Sequence, residues 1–189
     1  MTATVVLADT SVLFSRVLCD YAMYAGLEGI IRLRWSDSIL DELERTLAER
    51  HKTTSAQARR LRGLMNSALP DALVTPTASD AEQVAHLALP DEADRHVLAA
   101  ALAADANLLC TTNLRDFPLA ATKAIGVEAA SPDELLHAPA TAFPAEMIDI
   151  HRTVVAQMPH TTDENTLTAL RRAGAPRTAS TLLAMLSRR

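Results

Sequence analysis

Short aliphatic runs alternate along this chain with longer stretches in which apolar residues recur every three to four positions. Thr4 to Ala8 (TVVLA) is a β-branched and aliphatic run that ends in Asp9-Thr10-Ser11, which predicts a buried strand with an acid at its carboxyl end. Thr10 or Ser11 is placed to cap a helix over about Val12 to Ala25 that stops near Gly26. Ile30 to Trp35 reads as a second strand, and Ser36 as the N-cap of the helix DSILDELERTLAER. The apolar stripe of that helix is Ile39, Leu40, Leu43 and Leu47, with Glu42 at its border. Thr54 or Ser55 opens a third helix that ends before Pro70-Asp71 and carries Arg59, Arg60 and Arg62, a cluster read as a solvated face, with contact to a phosphate backbone as the minority reading. Leu73 to Thr75 is a short strand, and Ser79-Asp80-Ala81-Glu82 fits a capping box for a helix reaching about Leu87. Gly126 to Ala130 reads as the last strand, followed by a capping box at Ser131 with Pro132 at the first helical position.

The most informative stretch is Pro90 to Pro118. Asp91, Glu92 and Asp94 stand at a helix start, where the macrodipole stabilises anions. Val97, Leu98, Ala101 and Leu102 continue as an apolar stripe, and Leu108 to Thr112 suits a buried strand. The loop beyond carries Asn113 and Asp116. Strands alternating with helices predict an α/β fold with a parallel sheet covered on both faces, and such sheets place ligands at the carboxyl edge of their strands.

A proline-bearing connection at 138–144 marks a boundary, so residues 1–137 form the main domain and 138–189 a helical extension. Met147, Ile150, Val154 and Met158 line one helix of the extension, which Pro159 ends. Thr161 or Thr162 caps a second helix that closes at Gly174, and a third spans about Ala179 to Ser187. These ~50 residues are too few to bury much surface alone, so they are expected to pack on the main domain or on a partner.

Composition narrows the class. The chain is 49% hydrophobic but only 3% aromatic, so its core is built from Ala, Val, Leu and Ile. No apolar run reaches the roughly 20 residues of a membrane helix, and no signal peptide is evident, so the reading is cytoplasmic. Cys19 and Cys110 stand far apart in apolar contexts and read as buried, reduced thiols. A net charge of −5 argues against a protein that coats nucleic acid.

Four carboxylates stand out: Asp9 after the first strand, Glu42 on the second helix, Asp94 at the start of the 90s helix and Asp116 after the buried strand. Brought together they would repel one another unless a hard cation neutralised them, and magnesium takes oxygen ligands of this kind. Each also has a purely structural reading, as a turn residue, a solvated helix acid or a helix-start anion. Glycine-rich phosphate loops and zinc-spaced Cys/His clusters are absent from the sequence, and His96 reads as a helix-surface residue rather than a base.

The stretches ADTSVLFS (8–15), SDSILDELERTL (36–47), DEADRHVLAAAL (91–102) and LLCTTNLRDFP (108–118) resemble, in that order, the PIN-domain family and in particular its VapC-type toxin ribonucleases. The likeness covers about residues 4–135. It implies a three-layer α/β/α domain with a central parallel sheet, and a Mg2+- or Mn2+-dependent endoribonuclease that leaves 5′-phosphate and 3′-hydroxyl ends. Carried over by position, Asp9, Glu42, Asp94 and Asp116 are the catalytic acids, with Asp9, Asp94 and Asp116 on the metal. Asp91 is the rival of Asp94. Ser11 stands where many relatives have Asn; it, Thr112 and Asn113 would orient ligands or substrate. Arg95 and Arg115, beside the acids, are candidate contacts to the substrate phosphate. The resemblance further implies an RNA substrate, which includes transfer RNA and other structured RNAs, a cognate antitoxin and a homodimer. Two alternatives stand beside it: an inactive PIN-like module that binds RNA or protein, and a DNA-directed nuclease on the same scaffold.

Overall fold

Five short strands, β1 (Thr4–Ala8), β2 (Ile31–Ser36), β3 (Leu73–Val74), β4 (Leu108–Cys110) and β5 (Glu128–Ala130), form one parallel sheet in the order β3-β2-β1-β4-β5. The computed structural model describes residues 3–51, 53–158 and 160–187. Val6, Leu7 and Ala8 of the central strand are wholly buried, as an all-parallel sheet covered on both faces requires. From β1 the chain winds outward through β2 to β3, then returns to the other side for β4 and β5. The order therefore reverses between β1 and β4, and the crevice at their carboxyl ends is the switch point where open α/β sheets bind ligands. Ala8 pairs with Cys110, so the residues that follow, Asp9 and Thr111, leave the sheet side by side at that crevice.

The helix expected over about Val12 to Ala25 is two helices, α1 (Thr10–Phe14) and α2 (Arg16–Leu27), broken where Ser15 turns to extended backbone. The N-cap of α1 is Asp9, whose side chain makes no cap bond and stays available to the crevice. α3 (Asp37–His51) packs against α1 and against α4 (Ser55–Ala68), which opens with a Thr54–Gln57 capping box. Arg62 of the α4 cluster is not merely solvated. Its guanidinium reaches Asp37, Asp41 and Glu44, joining α4 to α3.

The capping box of α5 (Ala78–Val84) lies two residues earlier than expected, with Thr77 as the cap and Asp80 as its partner. α6 (Arg95–Ala103) packs on α5 and α3. α7 (Leu119–Ala124), a helix the apolar pattern does not reveal, precedes β5.

α8 (Pro132–Ala142) runs through the connection read at 138–144, with Pro139 buried inside it. The chain turns at Phe143 instead and continues as α9 (Pro144–Gln157), α10 (Asp163–Arg172) and α11 (Pro176–Leu186). Pro159, read as the stop of α9, lies outside the described residues. Gly174, at φ +100°, takes the left-handed turn that ends α10, a conformation costly for residues with a Cβ. α9 packs on α2, and α11 on α8. Leu167, Leu170 and Leu182 belong to the same continuous core as Val6 and Leu98.

Candidate active site

The residues at the switch point are held by short local bonds. Oδ2 of Asp9, itself buried, accepts hydrogen bonds from the Ser11 hydroxyl at 2.7 Å and the Thr111 hydroxyl at 2.8 Å. Each hydroxyl also accepts a backbone N–H from the loop after β4: Thr112 N–H reaches Ser11 Oγ at 3.0 Å, and Asn113 N–H reaches Thr111 Oγ1 at 3.0 Å. The loop is thereby clamped to the end of β1 and the Asp9 carboxylate is fixed. Its side chain oriented this way, Asp9 faces a cleft of about 350 Å³ lined also by Glu42, Asp94, Thr112 and Asn113.

Glu42 arrives from α3. Thr10 Oγ1, buried beneath it, donates to Glu42 Oε2 at 2.9 Å. His96 Nε2 stands 3.7 Å from the same oxygen, while its Nδ1 lies 2.7 Å from the Ala93 carbonyl. A carbonyl only accepts, so Nδ1 carries the proton in that contact. His96 therefore lines the site beside Glu42 rather than lying on an open helix surface, and its Nε2 is buried without a hydrogen-bond partner among the described residues.

The two rival acids of the 90s segment have different surroundings. A 3-10 turn over Glu92–Asp94 precedes α6, and Asp91 caps that turn by accepting Ala93 N–H at 2.8 Å. Asp94 makes no cap bond and projects into the cleft with Asp9 and Glu42. Burial, reinforced by repulsion from Asp9, Asp91, Asp116 and Glu42, pushes the Asp94 carboxyl up to about 6. Asp116 ends a 3-10 turn beyond the loop, close enough to act on Asp94 electrostatically, with Arg115 Nε 3.6 Å from its Oδ1.

Arg95 is turned away from this role. Its guanidinium binds Glu92 and the carbonyls of Val84 and Leu87, stitching the segment before α6 to the end of α5. Arg115 remains exposed beside Asp116. Thr10 and Thr111, which hold Glu42 and Asp9, were not distinguished by sequence. The only signal is their place at the ends of β1 and β4, and it becomes legible once Ala8 is paired with Cys110. Cys110 and Cys19 are free and buried, and burial raises both thiols, Cys19 to about 12, so neither is a nucleophile.

Among the described residues, no three His, Cys, Asp or Glu side chains converge closely enough to cage an ion. The donor set is nevertheless one of hard oxygens whose charges repel, the chemistry that suits a hydrated Mg2+ or Mn2+. Such an ion keeps several waters and takes only one or two carboxylates. The acids therefore fit a water-rich divalent site rather than an all-protein cage.

A family model described as PIN domain matches residues 5–115, a span that includes Asp9, Glu42 and Asp94 and ends one residue before Asp116. No curated protein and no solved structure matches the chain.

Proposed function

This chain belongs to the PIN-domain family, whose members are generally nucleases, and from that premise we propose that it is a metal-dependent endoribonuclease. The observation that carries the reading is the convergence of Asp9, Glu42 and Asp94 on one cleft at the switch point of the sheet, where burial and four neighbouring acids raise the Asp94 carboxyl to about 6. Natural folds do not gather uncompensated carboxylates without cause, and a perturbed acid in a cleft is a recurrent mark of a working site.

In this reading Asp9, Asp94 and Asp116 would hold a Mg2+ or Mn2+ ion, one or two of them directly and the rest through its waters. Bound there, the ion would lower the pKa of a water and neutralise charge on the phosphodiester. The chain's own residues do the rest. Ser11 and Thr111 hold Asp9 through Oδ2 and leave Oδ1 to the cleft. Thr10 holds Glu42 through Oε2 and leaves Oε1 to take a proton from the attacking water. The water oxygen bonds to phosphorus as the bond to the 3′ oxygen breaks, and the departing 3′ oxygen takes a proton from solvent water, giving a 5′-phosphate and a 3′-hydroxyl. Arg115, exposed beside Asp116, steadies the substrate, whereas the bonds of Arg95 favour a structural role.

We also read the chain as the toxin of a toxin–antitoxin pair in the cytoplasm, acting as a homodimer; the family resemblance supports this. Among the described residues no helix is long and apolar enough to cross a membrane. Co-expression with the product of an adjacent small gene tests the pairing: a stable complex in which RNA cleavage is silenced is the expected outcome.

The central experiment is cleavage of single-stranded RNA with and without Mg2+, beside a DNA of the same sequence. Asp9→Asn and Asp94→Asn are expected to lose at least ~100-fold in rate. Undiminished activity in both would sink the assignment, and faster DNA cleavage would move it to the DNA-directed alternative. The open spacing of the acids favours one second reading, a PIN-like binding module. RNA binding that persists in both variants, with no divalent cation bound to the unaltered protein, would establish it instead.

A further inference from the structure

α3 does more than deliver Glu42. Glu42, Thr46 and Arg50 recur at intervals of four along it and line the acidic cleft with Asp9. On the other side of Glu42 and Asp94 lies a second open cleft of about 510 Å³, lined by Ser38, Asp41, Arg45 and His96. Glu42 and Asp94 border both, so the two clefts are arms of one groove that crosses the carboxylates and follows α3, with one arginine in each arm.

These two arginines differ from the other cations near the site. Arg62 is consumed by Asp37, Asp41 and Glu44, Arg95 by Glu92 and two carbonyls, and Arg115 lies beside Asp116. Arg45 and Arg50 are exposed and make no hydrogen bond or ion pair among the described residues, although acids surround them on the same helix. An uncommitted guanidinium is a ready donor for a bidentate phosphate contact. Five residues of helix set the two positions about 7.5 Å apart along the axis and about 140° apart around it, so they stand on opposite flanks of Glu42.

Resting on the nuclease reading for the identity of the strand, we infer that Arg45 and Arg50 grip phosphates on opposite sides of the scissile bond. A single-stranded RNA then lies in this groove, with its reacting phosphate over Asp9 and Asp94. Neither arginine touches the reacting atoms; both are positioning residues that set where the strand sits.

The test uses the full-length chain and a short fluorescein-labelled single-stranded RNA. Binding by anisotropy, without divalent cation and over a series of salt concentrations, is measured beside Mg2+-dependent cleavage. Arg45→Ala and Arg50→Ala are each expected to raise KM and Kd about tenfold while kcat changes little. Each should also lower the slope of log affinity against log salt by about 0.7, the single-strand value for one lost phosphate contact. Arg50→Lys, which keeps the charge but not the fork, should recover part of the affinity. Arg60→Ala on α4 removes the same charge away from the groove and should leave the slope unchanged. Cleavage by the unaltered protein with KM and slope unmoved in both alanine variants would overturn the inference and leave the nuclease reading standing. A slope lowered equally by Arg60→Ala would overturn it too, because the effect would then be one of bulk charge. RNA binding without cleavage, weakened by the two substitutions, would uphold the groove and remove the nuclease. Neither binding nor cleavage would end both.

Discussion

Two carboxylates of the site are held in opposite ways. Asp9 is buried but satisfied, its Oδ2 taking two hydroxyl protons while the hydroxyls anchor the loop after β4. Asp94 has no comparable donors among the described residues and bears the repulsion of the cluster. It binds its proton more tightly in the folded chain, near pH 6, than in the unfolded chain, near pH 4. Without divalent cation, stability therefore falls as pH rises from about 4 through about 6. Asp94→Asn should stabilise the metal-free protein at pH 8 by on the order of 1 kcal/mol after solvent screening, with the gain vanishing below pH 4. Urea midpoints of the two proteins at pH 4, 6 and 8 check this. Added Mg2+ should reverse the order at pH 8, since it stabilises only the protein that retains its ligand.

At the scale of elements, the contact that secures the C-terminal helices is a cap borrowed across the sequence. α11 begins at Pro176 with no side-chain cap of its own. Asp133, in the first turn of α8, accepts Thr178 N–H and the Thr178 hydroxyl at 2.9 Å each, Arg177 N–H at 3.1 Å, and Arg177 Nε at 2.9 Å. Burial alone would raise the Asp133 carboxyl, but these bonds outweigh it and hold the group below the usual carboxylate range. Its contribution is present above the unfolded value near pH 4 and is lost as pH falls further. Asp133→Ala should cost about 2–3 kcal/mol at pH 7, through the lost cap and the stranded donors. Chemical denaturation gives the loss, and hydrogen exchange should show it concentrated in α11. An unchanged midpoint would show that the cap contributes nothing.

At the scale of the molecule, the last helices share one continuous core with the PIN domain. Wholly buried His151 of α9 meets the Tyr21 hydroxyl of α2 through Nδ1, and its Nε2 lies 3.3 Å from Asp163 Oδ1 at the start of α10. Burial lowers the imidazole below its usual value, with Asp163 opposing only in part. The folded chain thus resists protonation that the unfolded chain accepts near pH 6.5, and stability should fall as pH drops below that value. His151→Gln should be less stable than the unaltered protein at pH 8, with the difference narrowing toward pH 5. Unfolding curves across that range read the convergence, and a constant difference would exclude His151 as its source. The sign opposes that of Asp94, so the two substitutions separate the contributions.

The alternating periods of apolar residues were sufficient to predict the strands, most helices and the parallel α/β class, because burial of a strand or a helix face is written in local spacing. Asp9 and Asp94 were legible as candidates because each stands at an element boundary, and Glu42 because it borders the apolar stripe of its helix, all three within family-like motifs. Local spacing misplaced what depends on neighbours. The break at Ser15, the earlier cap at Thr77 and the passage of α8 through Pro139 are set by packing that no short window contains. Thr111 and Thr10 gain their meaning only when β4 lies against β1 and α3 against α1, since a hydroxyl becomes a clamp by what it reaches. Arg95 and Arg50 show the same division. Sequence adjacency favoured the arginine beside Asp94, whereas the fold tied that one to carbonyls and left Arg50, uncommitted among the described residues, on the far turn of α3, where it lines the cleft with the acids. The chain's pattern determined which elements form and which acids they carry. The tertiary structure decided which of those groups are spent on one another and which are left facing the groove, because hydrogen bonds and charge repulsion act through space rather than along the chain.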